Sequence, residues 1–204
     1  MSTTLCGSVA NTVDQIQDCD NLPVKGMESY AMIMDYNDYL NAKITKADDI
    51  VSNIVLPSGK EAIEAQVPAN YTKERFAGEK GDSGNTYYTH EIDLLIPNTA
   101  VGKKFVKNMG NGKFVVIAEK KAKGADKQDA FDILGVDTGL EGTPTFDSDA
   151  NDGYILATLA SPEARESKPP LTFFDADYLT GKAKIDALKN PGGTTTLAAT
   201  TTPA

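Results

Sequence analysis

The chain has 204 residues, of which 40% are hydrophobic and 24% charged, and 20 basic side chains stand against 29 acidic ones for a net charge of −9. That composition suits one sizeable globular domain or two small ones. It argues against a protein that grips nucleic acid through its phosphates, which needs a clustered basic surface. No stretch approaches the roughly 20 consecutive apolar residues of a spanning helix, so no membrane partner is expected.

The opening "MSTTLCGSVANTVDQIQDCD" has no basic region and no continuous apolar stretch, and so does not read as a secretory signal. Residues 1–28 are polar and weakly patterned and are expected to form an N-terminal arm. Cys6 and Cys19 are the only cysteines. A zinc site wants closer pairs and four ligands. A disulfide closing the arm is one reading; reduced thiols are the expected one without an export signal.

Residues 29–190 carry the apolar pattern of a β-rich domain. Tyr30 to Tyr36 reads as a buried strand, followed by "YNDYLNAK" as a turn of helix or a connector. Two apolar runs flank Pro57-Ser58-Gly59, a strand–turn–strand signal, although Glu61 to Ala65 fits a helix equally well. Tyr71 to Phe76 and Thr86 to Ile96 flank a loop of Gly, Asp, Ser and Asn, which predicts a hairpin. In its second arm Tyr88, His90, Ile92 and Leu94 share one face and Thr89, Glu91 and Asp93 the other. Pro97 ends that strand. Asn98 or Thr99 is placed to cap a helix bearing Val101, Phe105, Val106 and Met109, which Gly110-Asn111-Gly112 terminates. "KFVVIAEKK" is a near-continuous apolar strand, expected at the centre. "AFDILGVDTGLEG" predicts a strand entering a glycine-rich turn, "TPTFDSDANDG" a polar loop, and "YILATLAS" another strand. "LTFFDADYLTGKAKIDALKN" starts extended and finishes as a short helix. Residues 191–204, "PGGTTTLAATTTPA", form a low-complexity flexible tail, too poor in apolar surface to offset its ordering entropy. Seven to nine strands against one clear helix predict a mainly β (α+β) chain, a β-sandwich or barrel with one flanking helix.

Candidate chemistry is sparse. Gly81-Asp82-Ser83-Gly84 is the tetrapeptide that surrounds the nucleophile of trypsin-type serine proteases. A serine nucleophile needs a histidine base oriented by a third group, and the only histidine, His90, lies seven residues downstream on the same hairpin arm. The tetrapeptide therefore reads as a turn, and His90 as a packed side chain. Asp147, Asp149 and Asn151 match the first three ligand positions of a calcium loop, but Asp152 stands where glycine belongs and Thr158 where the bidentate glutamate belongs. The Asp147–Asp152 segment reads as a polar loop, with calcium as the alternative. The basic stretch Glu119 to Lys127 reads as a solvated loop tip, and the eight tyrosines as core and interface residues. No catalytic, cofactor-binding or metal-ligating residue is expected, and the chain is not expected to be an enzyme.

The order of hairpin, strand, helix and central strand, with "GNTYYTHEIDLLIP" before the helix, "FVVIAE" in the centre, "FDILGVDTGLEG" after it and a late "GYILATLAS", resembles the tube-forming proteins of tailed bacteriophages. The resemblance covers roughly residues 29 to 175. It implies a virion structural protein, a tail-tube subunit that self-assembles into stacked rings, commonly hexameric, through which the genome passes without specific binding. Partners would be further copies of the chain and other tail or connector proteins, and the location the virion tail after synthesis in the host cytoplasm. A head–tail connector, stopper or other ring protein is the alternative within that resemblance. A β-sandwich binding module with a calcium loop is the alternative outside it.

Overall fold

The computed structural model describes residues 26–66, 72–81, 84–147, 149, 151–162 and 166–189. Residues 1–25 with Cys6 and Cys19, the tail 191–204, and Asp82 and Ser83 lie outside them.

The fold is built on two strands that are apolar on both sides. Strand β1 (Met27–Asp35) and strand β7 (Lys113–Lys120) run antiparallel, with Ala31 opposite Ala118 and Ile33 opposite Val116. Because side chains alternate across a strand, each contributes to two cores. Ala31, Ile33, Val116 and Ala118 pack into one cluster with Ile92, Leu94, Met109, Leu140, Ile155 and Leu159. Tyr30, Met32, Met34, Val115 and Ile117 pack into the other with Val51, Ile54, Phe131, Ile133, Phe173 and Ile185. A strand covered on both faces has no place for alternating polar residues, which is why "FVVIAE" reads as continuous and why β7 is central.

Among the described residues eleven strands join in one mixed sheet, and three helices pack on it. The expectation of a mainly β, α+β chain is met. The sheet branches at β7: one edge carries β1, and the other is shared by β8 (Phe131–Leu134) and β9 (Leu140–Thr145). From β8 the order continues through β11 (Leu171–Phe173) and β3 (Ile50–Val55) to β2 (Lys43–Ala47). From β9 it continues through β10 (Ile155–Ala160) and β6 (Thr86–Ile96) to β5 (Lys73–Lys80). Strand β4 (Ile63–Gln66) pairs with β1. Among the described residues β2, β4 and β5 each keep an unpaired edge.

Several expectations need correction. Met27 and Glu28, expected in the arm, belong to β1. The two runs around Pro57-Ser58-Gly59 are both extended but do not pair with each other: β3 joins β2 and β11, and β4 joins β1. The connection passes the end of the last helix, where the Ala62 amide donates to the Leu188 carbonyl at 2.9 Å and Leu56 and Ala62 are buried. The loop assigned to "TPTFDSDANDG" yields Thr143 to Thr145 to β9, because the neighbouring β10 offers its edge there.

Among the described residues three helices form where one flanking helix was expected; the other two take up the helical turn read in "YNDYLNAK" and the short helix read at the end of "LTFFDADYLTGKAKIDALKN". Helix α1 (Tyr36–Leu40) is one turn, capped by the Asp35 carboxylate. Helix α2 (Ala100–Met109) is capped by Thr99, whose hydroxyl accepts from the Gly102 amide at 3.1 Å. Val106 and Met109 point inward as their spacing predicts, but Val101 faces solvent. Gly102 lies so close to the end of β6 that an added Cβ would sit 1.9 Å from the Pro97 carbonyl oxygen. Helix α3 (Tyr178–Ala187) is capped by Asp177 and buries Ile185 on the second core.

Candidate functional site

The serine–histidine reading fails at the histidine. His90 is fully buried; its Nδ1 accepts from the Gly135 amide at 3.2 Å and its Nε2 donates to the Lys168 carbonyl at 2.9 Å. Both nitrogens are occupied within the fold, and burial pushes the imidazole below its usual pKa against the opposing pull of Glu166. The ring braces the turn after β8. Glu166, also fully buried, completes that brace: its carboxylate accepts from the Asp137 and Thr138 amides at 2.8 and 3.1 Å and from the Thr138 hydroxyl at 2.7 Å. Gly135 turns with φ +78° where a side chain would collide with Leu140 and the Phe114 carbonyl. The "LGVDTGL" wording is thus a structural device. Gly81 and Gly84 close the β5–β6 loop, with the Gly84 amide donating to the Gly81 carbonyl at 2.9 Å.

Of the Asp147–Asp152 segment, Asp147, Asp149, Asn151 and Asp152 are described. The Asp149 amide donates to the Asp147 carboxylate at 2.9 Å, and Asn151 to Gly153 form a 3-10 turn. Thr158, at the position of a glutamate ligand, donates its hydroxyl to Asp93 at 2.8 Å across the β10–β6 pair. Among the described residues no three of His, Cys, Asp and Glu converge on a point that would hold a metal. The basic stretch is also less solvated than expected. Lys123 is bonded to Glu119 at 2.5 Å, and Lys123 and Lys127 each lie 4.9 Å from the ring centre of Tyr178. Their charges are drawn onto an aromatic face and a buried carboxylate instead of projecting outward.

Two features stand out that sequence reading did not single out. The first is a cleft of about 810 Å³ between β5 and the ends of β7 and β8. Thr72, which directly precedes β5, and Glu74 and Phe76 on it fall on the side that β6 uses for His90, Ile92 and Leu94. Facing them, Lys120 continues the inward row of Val116 and Ala118, and Asp132 the row of Leu134. The first core therefore ends in charge. Lys120 and Asp132 are paired at 2.8 Å, and Glu74 shares a hydrogen bond with Asp132. Burial, reinforced by the adjacent Asp132 carboxylate, pushes the Glu74 carboxyl up to about 8 despite Lys120. Burial raises Asp132 as well, against Lys120, so the two carboxyls titrate as a pair in which Glu74 is the more strongly raised. Thr72 is 2% exposed, and neither its hydroxyl nor Glu74 Oε2 has a hydrogen-bond partner among the described residues. Asp132 was legible as a lone carboxylate inside the apolar "FDIL"; nothing in "TKERF" separates Glu74 from surface charge.

The second feature is the open edge of β5. Seven of its eight residues are exposed, and it pairs with β6 from Lys73–Asp93 to Lys80–Thr86. On β6, Tyr88 exchanges backbone bonds with Glu166, and the His90 carbonyl accepts from the Ser161 amide. Those groups point away from β5. Since antiparallel pairs alternate, the opposite residues Gly78 and Phe76 direct their own N–H and C=O to the open edge. Phe76 is 54% exposed beside it.

No known protein family, curated protein or solved structure matches the chain.

Proposed function

We propose that the chain is a self-assembling structural protein of a tailed-bacteriophage virion, a tail-tube subunit whose rings stack into the conduit for the genome. The observation that carries this reading is the β5 edge. An exposed strand with free N–H and C=O groups is a template for another strand, and β5 offers several such groups on a hairpin standing out from the double core. Neighbouring copies that add a strand there would close a ring. The acidic balance supports the same reading, because a wall of net charge −9 per subunit does not bind a passing polyanion. The resemblance in the hairpin, helix and central-strand wording adds the phage context.

Negative-stain electron microscopy across a concentration series, with light scattering on the same samples, tests the proposal. Tubes or stacked rings of uniform diameter are expected. Single rings that never stack would move the reading to a head–tail connector or stopper, and a monodisperse monomer at every concentration would overturn both.

A further inference from the structure

We propose that the cleft between β5 and the ends of β7 and β8 binds a basic nitrogen group, an alkylammonium or guanidinium, on Glu74 and Thr72 beside the Lys120–Asp132 pair. The site rests on geometry independent of the virion reading. Thr72 is 2% exposed, lines the cleft and presents a hydroxyl with no partner among the described residues, as does Glu74 Oε2. Buried polar atoms left unbonded are uncommon, because each forgoes its hydration. Two such atoms on residues 72 and 74, at the start of β5, define a place where a donor is wanted.

Charge selects the kind of donor. Lys120 and Asp132 balance each other at 2.8 Å, so ionised Glu74 would leave the cluster one negative charge in excess. An anion would meet two carboxylates. At Glu74 a divalent metal would find two carboxylates and an ammonium already seated on one of them, while Glu91 of the cleft lining is held by Arg75, too few free oxygens for calcium. An ammonium or guanidinium supplies several N–H donors and the missing charge. Met27, Phe76 and Ala122 line the same cleft and give an alkyl stem an apolar surface to lie along. On binding, the ligand remains protonated and the Glu74 carboxyl releases its proton to solvent. The raised Glu74 pKa of about 8 makes that release observable at neutral pH.

The ligand can be a free amine or a lysine or arginine side chain of a second copy of this chain. The test is isothermal titration calorimetry of the full chain at pH 7 with 1,5-diaminopentane and with butylguanidine, in two buffers of different ionisation enthalpy. Uncharged 1,5-pentanediol and calcium chloride serve as controls. Both cations are expected to bind with release of about one proton per site, and the diol and calcium are not. Glu74→Gln is expected to weaken binding at least tenfold and to abolish proton release. Thr72→Val, a change of one hydroxyl, is expected to weaken binding several-fold with the melting temperature within a few degrees of the parent. Binding unaffected by both substitutions, no cation binding at all, or calcium binding that depends on Glu74 would each overturn the proposal. Sedimentation velocity with and without diaminopentane then assigns the source. Competition with self-association identifies a basic side chain of a second copy, and unaltered self-association identifies a free amine.

Discussion

Replacing Glu74 by glutamine should make the protein insensitive to pH where the parent is most sensitive. A carboxyl raised from 4.5 to about 8 by burial means that the folded state holds a proton the unfolded chain has already released. Stability therefore falls as pH rises from about 4.5 through about 8, with the full cost present above that range. A difference of about 3.5 units corresponds to about 5 kcal/mol at most, and sharing of the proton with Asp132 brings the expected effect to about 2 to 5 kcal/mol. Glutamine preserves the shape of the protonated acid and cannot ionise. Urea unfolding at pH 5, 7 and 9 should show the parent losing this amount relative to the variant, chiefly between pH 5 and 8. The buried His90 acts in the opposite direction only below its ordinary pKa of 6.5, so the interval from 6.5 to 8 isolates the Glu74–Asp132 pair. Equal slopes in the two proteins across that interval would refute the buried, protonated Glu74 and with it the electrostatics of the cleft.

Three other outcomes follow from the geometry. Phe76→Pro removes an N–H that faces the open edge of β5 without removing a ladder bond to β6, so assembly monitored by light scattering should fail while the melting temperature of the monomer changes by only a few degrees; tubes formed as before would show that this edge is not the contact. Gly102→Ala gains about 1 kcal/mol of helix propensity but sets a methyl group 1.9 Å from the Pro97 carbonyl; the clash should win, lowering stability by about 1 to 3 kcal/mol in chemical denaturation, and a stabilised variant would place α2 wrongly against β6. The single imidazole signal in the proton NMR spectrum should titrate below 6.5, because burial disfavours the cation. Stability through this group is lost as pH falls below 6.5, where the unfolded chain takes up the proton first, and an ordinary titration of His90 would contradict its place in the core.

Local patterning made much of the fold legible. The alternation from Tyr88 to Leu94 placed His90, Ile92 and Leu94 on one face, and the loop of small polar residues before it announced the β5–β6 hairpin. Thr99 and the glycines after Met109 marked both ends of α2. The continuous apolar run of "FVVIAE" announced a central strand. These signals are local, because strand alternation and helix capping are set by neighbours along the chain. The single histidine argued against a nucleophile in "GDSG", and the defective calcium spacing favoured a polar loop for "DSDANDG".

Only the tertiary structure decided which strands meet. The short run Lys43–Ala47 has little apolar content and becomes a strand because β3 offers an edge, and β4 leaves β3 for β1 because the apolar faces of Tyr30 to Ile33 lie there. The cleft belongs to the same category. Glu74 and Lys120 come from strands far apart in sequence and Thr72 from the residue before β5, each unremarkable in a polar context, and the lone Asp132 of "FDIL" shows nothing of its partners. Their character arises when burial removes their water and sets two carboxylates against one ammonium. Pairing partners and dielectric surroundings are properties of the folded chain, and no window of sequence contains them.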